Sequence, residues 1–178
     1  MNKELQSKLV TDYPDFFAGI GKSPAESCMA FGCECGDGWY DLIRRTCSMV
    51  SSVLRNPGYV ELLPEHHVDR QVADKYVAPV FEFDQIKEKF GGLRLYYSLT
   101  QPVDPQHDKF VQSAVDKRYE YIRGYASGIT AYSEYLSELV CEVCGQPGVL
   151  YTDGWYSTRC DAHARPKYGV SEDDTVVS

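Results

Sequence analysis

The most regular stretch of the chain runs from Trp39 to Leu54, where apolar residues fall at Leu42, Ile43, Cys47, Val50, Val53 and Leu54 with a period of about 3.6 residues. This predicts a helix over residues 38–55. Asp37 stands where an N-cap carboxylate would, and Asn56-Pro57-Gly58 ends the element because proline cannot continue a helix and glycine accepts the turn that follows. Upstream, residues 3–20 read as a short helix ending near Tyr13-Pro14 and followed by Phe16-Phe17. Ser23-Pro24-Ala25-Glu26 predicts a second, brief helix capped by Ser23. Residues 58–78 show no clean period and read as a surface loop with at most one short strand.

Residues 80–99 predict a β-hairpin whose register follows from alternation. A two-residue turn at Gly91-Gly92 pairs Phe90 with Leu93 and Lys89 with Arg94. It places Ile86, Phe90, Leu93, Leu95, Tyr97 and Leu99 on one face and Lys87, Lys89, Arg94 and Tyr96 on the other. Residues 105–139 then predict one long helix. Phe110, Ala114, Tyr121, Ile122, Tyr125, Ile129, Tyr132, Leu136 and Leu139 share its apolar face, with Asp116, Glu120, Glu134 and Glu138 opposite. Arg118 falls in the middle of the apolar face. Gly124 and Gly128 lie along its edge, where another backbone or a ligand has room to approach.

Chemistry enters after this helix. Cys141, Cys144, Cys160 and His163 form a C-x2-C … C-x2-H array whose spacing closes around one tetrahedral zinc ion, and with every position filled by protein the ion is structural. A redox use of the first C-x2-C pair is the alternative. Gly145 suits a knuckle that turns backbone amides toward sulfur. Val149-Leu150-Tyr151 and Trp155-Tyr156-Ser157-Thr158 flank a hairpin turn at Asp153-Gly154. Asp37-Gly38-Trp39-Tyr40 recurs as Asp153-Gly154-Trp155-Tyr156, which reads as two turns each followed by an anchoring aromatic and not as a duplication.

The expected fold class is therefore α+β, helices packed on a small antiparallel sheet. An α+β domain spans residues 1–140, a C-terminal zinc-knuckle and hairpin module residues 141–168, and a disordered acidic tail residues 169–178.

Composition narrows the function. A chain of 178 residues with 43% hydrophobic and 25% charged residues supports one well-buried core. The formal charge of −8 disfavours nonspecific nucleic-acid binding, whose affinity comes mostly from phosphate neutralisation by Lys and Arg. No apolar run approaches the roughly 18 residues of a membrane helix, and Met1-Asn2-Lys3-Glu4-Leu5-Gln6 has no apolar signal region. Seven cysteines, three of them grouped with His163, argue against a disulfide framework and for a reducing cytoplasm. Cys28, Cys33, Cys35 and Cys47 offer a second metal set, but their spacing is not that of a knuckle and Cys47 belongs to an apolar stripe. Buried thiols are the favoured reading. His66, His67 and His107 sit in expected loops, and no phosphate-binding or nucleophile motif occurs, so nothing compels catalysis.

The remaining candidates are cationic. Lys89 and Arg94, placed cross-strand, repel unless an anion lies over them, and Tyr96 beside Lys87 adds a ring for stacking or for a cation. Neutralisation by Glu88, Asp84 or a carboxylate of the long helix is the alternative. Arg118 on an apolar face needs either a buried carboxylate or a ligand oxygen. Lys87, Lys89, Arg94, Tyr96 and Arg118 are thus the expected ligand-binding set.

Three blocks stand out when taken together: Glu34-Cys35-Gly36-Asp37-Gly38-Trp39; Gln85 to Tyr97 with Lys87-Glu88-Lys89-Phe90-Gly91-Gly92-Leu93-Arg94; and Cys141-Glu142-Val143-Cys144-Gly145 with Trp155 and Cys160-Asp161-Ala162-His163. In these blocks the chain resembles a family of small proteins encoded in tailed-phage and prophage genomes. That resemblance implies an accessory factor made in the cytoplasm of an infected bacterium, and no catalytic residues carry over from it. The expected function is non-catalytic binding and sequestration of a small anionic ligand, such as a nucleotide signal of host antiphage defence. A protein inhibitor of a host enzyme and a nucleotide- or nucleic-acid-processing enzyme are the alternatives. The expected partners are that ligand or a host protein, with self-association left open and no membrane.

Overall fold

A computed structural model describes residues 1–55, 78–101 and 109–164 of the chain. The expected loop over 58–78 (but for Ala78), the first residues of the long helix and the acidic tail fall outside the described residues, as do the side chains of Phe110 and Ala114.

Helix α1 (Lys3–Asp12) starts at Asn2, whose side chain accepts the Leu5 N–H at 3.0 Å, and it gives way to a 3-10 turn at Pro14 that buries Phe16 and Phe17. The brief helix expected from Ser23 does not form. Ser23 and Glu26 close a single turn, with the Glu26 carboxylate accepting from Ser23 N–H at 3.0 Å. Ser27 then caps a separate 3-10 turn (Cys28–Phe31) by accepting from Met29 N–H at 3.1 Å. Two caps four residues apart end one turn and start another, so no helix can propagate between them.

Helix α2 (Tyr40–Arg55) buries Ile43, Thr46, Cys47, Val50, Ser51, Val53 and Leu54, the stripe expected from its period. Its entry differs from expectation. Asp37 lies in a 3-10 turn (Asp37–Trp39) and does not cap the helix, because its carboxylate accepts from the backbone N–H and side-chain amide of Asn2 at 2.6 and 2.7 Å.

The main sheet has the order β1 (Cys33–Glu34), β2 (Val80–Lys89), β3 (Gly92–Thr100), with β1 parallel to β2 and β2 antiparallel to β3. Ile86, Leu93, Leu95, Tyr97 and Leu99 share a face as expected, joined by Phe81 and Phe83. The odd spacing from Phe83 to Ile86 is absorbed by a bulge at Asp84, which Ser98 Oγ holds at 2.8 and 3.0 Å. The turn is centred on Phe90-Gly91 and not on Gly91-Gly92. Lys89 therefore pairs with Gly92, and the cross-strand partner of Arg94 is Lys87. Phe90 leaves the core face and is 64% exposed. Gly91 is the residue that must lack a side chain. A Cβ there would lie 2.4 Å from Leu150 Cδ1 and 2.9 Å from Ser157 N, and its φ is 77°.

Helix α3 (Lys109–Ser137) packs on α2 and runs along the free edge of β3. Its phase corrects the sequence reading. Arg118, Ile122, Ala126, Thr130, Ser133 and Ser137 are the buried stripe, whereas Tyr121, Tyr132 and Leu139 of the expected apolar face are exposed. Small hydroxyl residues win because they serve two contacts that aromatics cannot. Ser133 Oγ meets Thr46 Oγ1 of α2 at 2.7 Å, and Ser137 Oγ accepts the unpaired Leu93 N–H of β3 at 2.8 Å. Glu134, expected on the solvent face, accepts Leu95 N–H at 2.7 Å, and Tyr119 donates to Leu99 O at 2.8 Å. The helix thus closes a strand edge that would otherwise be open to pairing.

One core joins these elements. Phe16 lies 4.8 Å from Phe81 and Phe17 lies 5.4 Å from Phe83 between ring centroids, with Leu9, Met29, Trp39, Ile43, Val50 and Ile122 also in the core. The fold is α+β, as expected. A second sheet, β4 (Val149–Tyr151) against β5 (Ser157–Arg159), carries a five-residue loop with Gly154 at φ 76°.

Candidate metal centre and ligand cavity

At the end of α3 the chain bridges Val140 to Pro147 and wraps a tight knuckle. Cys141 N–H donates to Gln146 O at 2.8 Å, and Gly145, at φ 76°, donates to Cys141 O at 2.9 Å. After β5 a 3-10 turn (Asp161–His163) brings His163 back over Cys160, its N–H on Cys160 O at 2.9 Å. The four side chains then converge. Cys144 Sγ is 3.7 Å from Cys160 Sγ, and His163 Nδ1 is 3.7 Å from Cys141 Sγ and 3.2 Å from Cys160 Sγ. All four ligand atoms lie within 4.8 Å of one another. Bond lengths of about 2.3 Å to sulfur and 2.0 Å to nitrogen put tetrahedral ligand atoms roughly 3.6 to 3.8 Å apart, so the donor set fits one ion.

The electrostatics agree. Burial works against a Cys141 thiolate, but backbone N–H groups of Cys160, Cys144 and Val143 outweigh it and bring the thiol down to about 6. The Gln146 amide favours the Cys144 thiolate, yet burial and the neighbouring sulfurs of Cys160 and Cys141 raise it, the repulsion that a cation relieves. Among the described residues no other group of His, Cys, Asp and Glu is close enough to hold a metal, so Cys28, Cys33, Cys35 and Cys47 make no second site there. Burial instead pushes Cys33 up to about 11 and Cys35 up to about 12, and raises Cys47 as well. These are protonated core thiols, and Cys28 is exposed.

The centre is docked into the fold through backbone contacts that the sequence reading missed. Gly38 N–H donates to Glu142 O at 2.9 Å, and Trp39 Nε1 donates to Val140 O at 2.9 Å. A Cβ at Gly36 would sit 1.9 Å from Glu142 O, and one at Gly38 would sit 2.1 Å from Cys141 O. From the other side Thr158 Oγ1 donates to Gly91 O at 2.6 Å, and Arg159 pairs with Glu142. The paired turns containing Gly38-Trp39 and Gly91 were visible as glycine motifs, but nothing in them said what they touch.

The five expected ligand residues do not form one site. Lys87, Arg94 and Tyr96 lie on the outer face of the sheet, with Lys87 Nζ 5.2 Å from the Tyr96 ring centroid and Arg94 Nη1 on Leu93 O at 2.7 Å. Glu34 of β1 occupies the position paired with Lys87, which softens the repulsion between Lys87 and Arg94. Lys89 sits at the turn, its Nζ 5.3 Å from the Phe90 ring. Arg118 is 8% exposed, buried as its place on an apolar face implied, but it lies near Phe81 and Glu82. That is seven residues, or about 20 Å, from Lys89 along β2.

Arg118 does line a cavity of about 720 Å³. Phe16, Leu54 and Phe81 form apolar wall, Arg55 adds a second guanidinium, and Asp15 and Glu82 are the carboxylates, Glu82 being engaged by Lys22 at 3.3 Å. Arg55 and Phe16 carried no sequence signal as site residues, since one reads as a helix end and the other as core.

Comparison of the chain with protein-family models, with curated proteins and with solved structures finds no match. Among the described residues no helix is long and apolar enough to cross a membrane.

Proposed function

We propose that this protein is a phage-encoded accessory factor of the infected host's cytoplasm that binds and sequesters a small anionic ligand in the Arg118 cavity, with one zinc ion holding its scaffold. The observation that supports this reading is the cavity itself. Its volume of about 720 Å³ falls in the range of small-molecule sites, which are mostly apolar with a few convergent polar groups. Arg118 contributes a permanent charge whose fork suits phosphate or carboxylate, and the edges of Phe16, Leu54 and Phe81 contribute an apolar wall. A nucleotide, with a phosphate and a flat base, is the class that uses both. A signal nucleotide of host defence is the member that the phage resemblance suggests.

Calorimetry against a panel of cyclic and linear nucleotides, with native mass spectrometry of protein purified from infected cells, tests this. Arg118→Met keeps an apolar stem and removes a charge-assisted contact worth about 1.5 to 3 kcal/mol, so it weakens binding at least about tenfold while the metal stays in place. Wild-type protein that binds no nucleotide and carries no ligand from infected cells overturns the reading. Turnover of the bound ligand replaces sequestration with catalysis.

One observation favours inhibition of a host protein as the second reading. Of the cations expected at the ligand site, Lys89 lies instead at the Phe90 turn and Lys87 and Arg94 on the adjoining outer sheet face, and at that turn Phe90 is 6.2 Å from Tyr156 and Trp155 is 72% exposed. Exposed rings rimmed by charge are the composition of a protein-binding hot spot. A stable host complex, lost in Trp155→Ala and formed by protein with no nucleotide affinity, selects it.

A further inference from the structure

Helix α3 carries a buried stripe that mixes apolar and hydroxyl residues, and a second, aromatic stripe that the fold leaves largely open. Tyr121, Tyr125, Gly128, Tyr132, Tyr135 and Leu139 follow one another at spacings of four, three, four, three and four, continuing into the turn after the helix. That is the seam spacing of two packed helices. Ile122, Ala126, Ser133 and Ser137 face the protein interior and Tyr125 is half-buried against the core, while Tyr121, Tyr132, Tyr135 and Leu139 are 40, 59, 60 and 48% exposed. A Cβ at Gly124 or Gly128 would meet nothing within 4 Å, so the stripe is open at its centre as well as at its ends.

We propose that this stripe is the seam of a homodimer, in which a second copy lays the same stripe across it antiparallel. Three observations choose a second copy over another occupant. The stripe is complementary to itself: an antiparallel pairing seats Tyr132 of each copy over Gly128 of the other, with Tyr125 facing the second copy's Tyr135 and Tyr121 its Leu139. A parallel pairing opposes Gly128 to Gly128 and leaves a void. Charge also permits it. Two copies of a chain at −8 repel, but between residues 121 and 139 the stripe and its flanks, Ile122, Ile129 and Leu136 on one side and Gly124, Ala131 and Glu138 on the other, hold one charged side chain. The area is sufficient for a weak dimer. At these exposures the four side chains offer about 400 Å² per copy. Val149, exposed and adjoining Leu139 through the Gly148 N–H to Leu139 O bond at 2.9 Å, extends it toward the roughly 1,000 Å² in total at the low end of specific interfaces.

Sedimentation equilibrium across two decades of concentration tests the proposal. Wild type shifts from monomer to dimer, and the Tyr132→Glu, Tyr135→Glu double variant stays monomeric throughout with an unchanged melting temperature, since both positions are exposed. In a Cys28→Ser background, Ala131→Cys lies beside its own copy near the two-fold axis and cross-links on mild oxidation, whereas Tyr121→Cys does not. A wild type that remains monomeric at the highest concentration overturns the proposal and leaves the stripe to a different partner. A dimer that survives the double variant, or that forms without the Ala131→Cys cross-link, overturns it too.

Discussion

Gly38→Ala isolates the docking of the metal centre, because the methyl group it adds has nowhere to go. At the ideal position its carbon lies 2.1 Å from Cys141 O, 2.5 Å from Gly145 N and 2.8 Å from Cys144 N, all backbone atoms of the knuckle. If the 37–39 turn retreats, it gives up the Gly38 bond to Glu142 O and the Trp39 bond to Val140 O, at about 1 kcal/mol each. If the knuckle retreats, the Val143 and Cys144 amides leave the Cys141 sulfur that they stabilise as thiolate, and metal affinity falls. Overpacking alone costs about 1 to 3 kcal/mol, so a loss of about 2 to 4 kcal/mol is expected by either route. At this chain length that lowers Tm by roughly 5 to 15 °C. Circular-dichroism melts and competition with a chromogenic chelator read the two losses separately. Gly124→Ala is the control: it adds a methyl group in open space on a helix and raises stability by about 0.5 to 1 kcal/mol. A Gly38→Ala protein with wild-type Tm and wild-type metal affinity refutes the docking argument.

Cys141→Ser, or removal of the metal by chelator, unfolds residues 141–164 and lowers Tm, because the metal-binding energy is also folding energy; elemental analysis finds one ion per wild-type chain. Val50→Asp and Ile122→Asp bury an unpaired charge and abolish the cooperative melt, whereas Tyr132→Asp on the exposed face of α3 leaves it intact. Stability falls as pH rises above about 8.5. Burial raises the folded-state values of Cys33 to about 11 and Cys35 to about 12 above those of unfolded thiols, so the folded chain holds protons that the unfolded chain releases. The contribution is complete below the unfolded value and is lost as pH climbs to the folded ones, at about 1.4 kcal/mol per pH unit per thiol. Urea midpoints at pH 8 and pH 10 measure it, and a Cys33→Ala, Cys35→Ala variant with the same slope assigns the effect to other groups.

What could be read from residues alone divides along a physical line. Helix α2 and the sheet face of Ile86, Leu93, Leu95, Tyr97 and Leu99 were legible because one side of each is apolar and the other is not, and periodicity reports that contrast. The metal ligands were legible because spacing is all that a knuckle requires. Arg118 was legible as a buried charge. Helix α3 misled because it has two candidate faces, and hydrophobicity chose the aromatic one. The fold buries the face whose Ser133, Ser137 and Glu134 satisfy α2 and the β3 edge, a hydrogen-bonding demand that arises only once the partner elements are in place. The hairpin turn was off by one residue for a similar reason. Positive φ is ordinarily left to glycine, yet Phe90 takes it at 54° because Gly91 is needed against Ser157.

The three sequence blocks around Gly38, Gly91 and Cys141 come together in space, and this bears on where function resides. Gly38 and Trp39 of the first block bond to Glu142 and Val140 at the third, and Gly91 of the second accepts from Thr158 beside the third. The blocks thus meet in a junction around the candidate metal centre, and its glycines are held there by backbone contacts that tolerate no side chain. The Arg118 cavity is built from other residues altogether, among them Phe16, Leu54, Arg55, Phe81 and Glu82, none of which belongs to a block. Replacing Arg55 and Arg118 by Gln and Met is therefore expected to weaken ligand binding while leaving metal affinity at the wild-type value, and a double variant that unfolds the chain while the junction is intact would place the cavity in the scaffold instead.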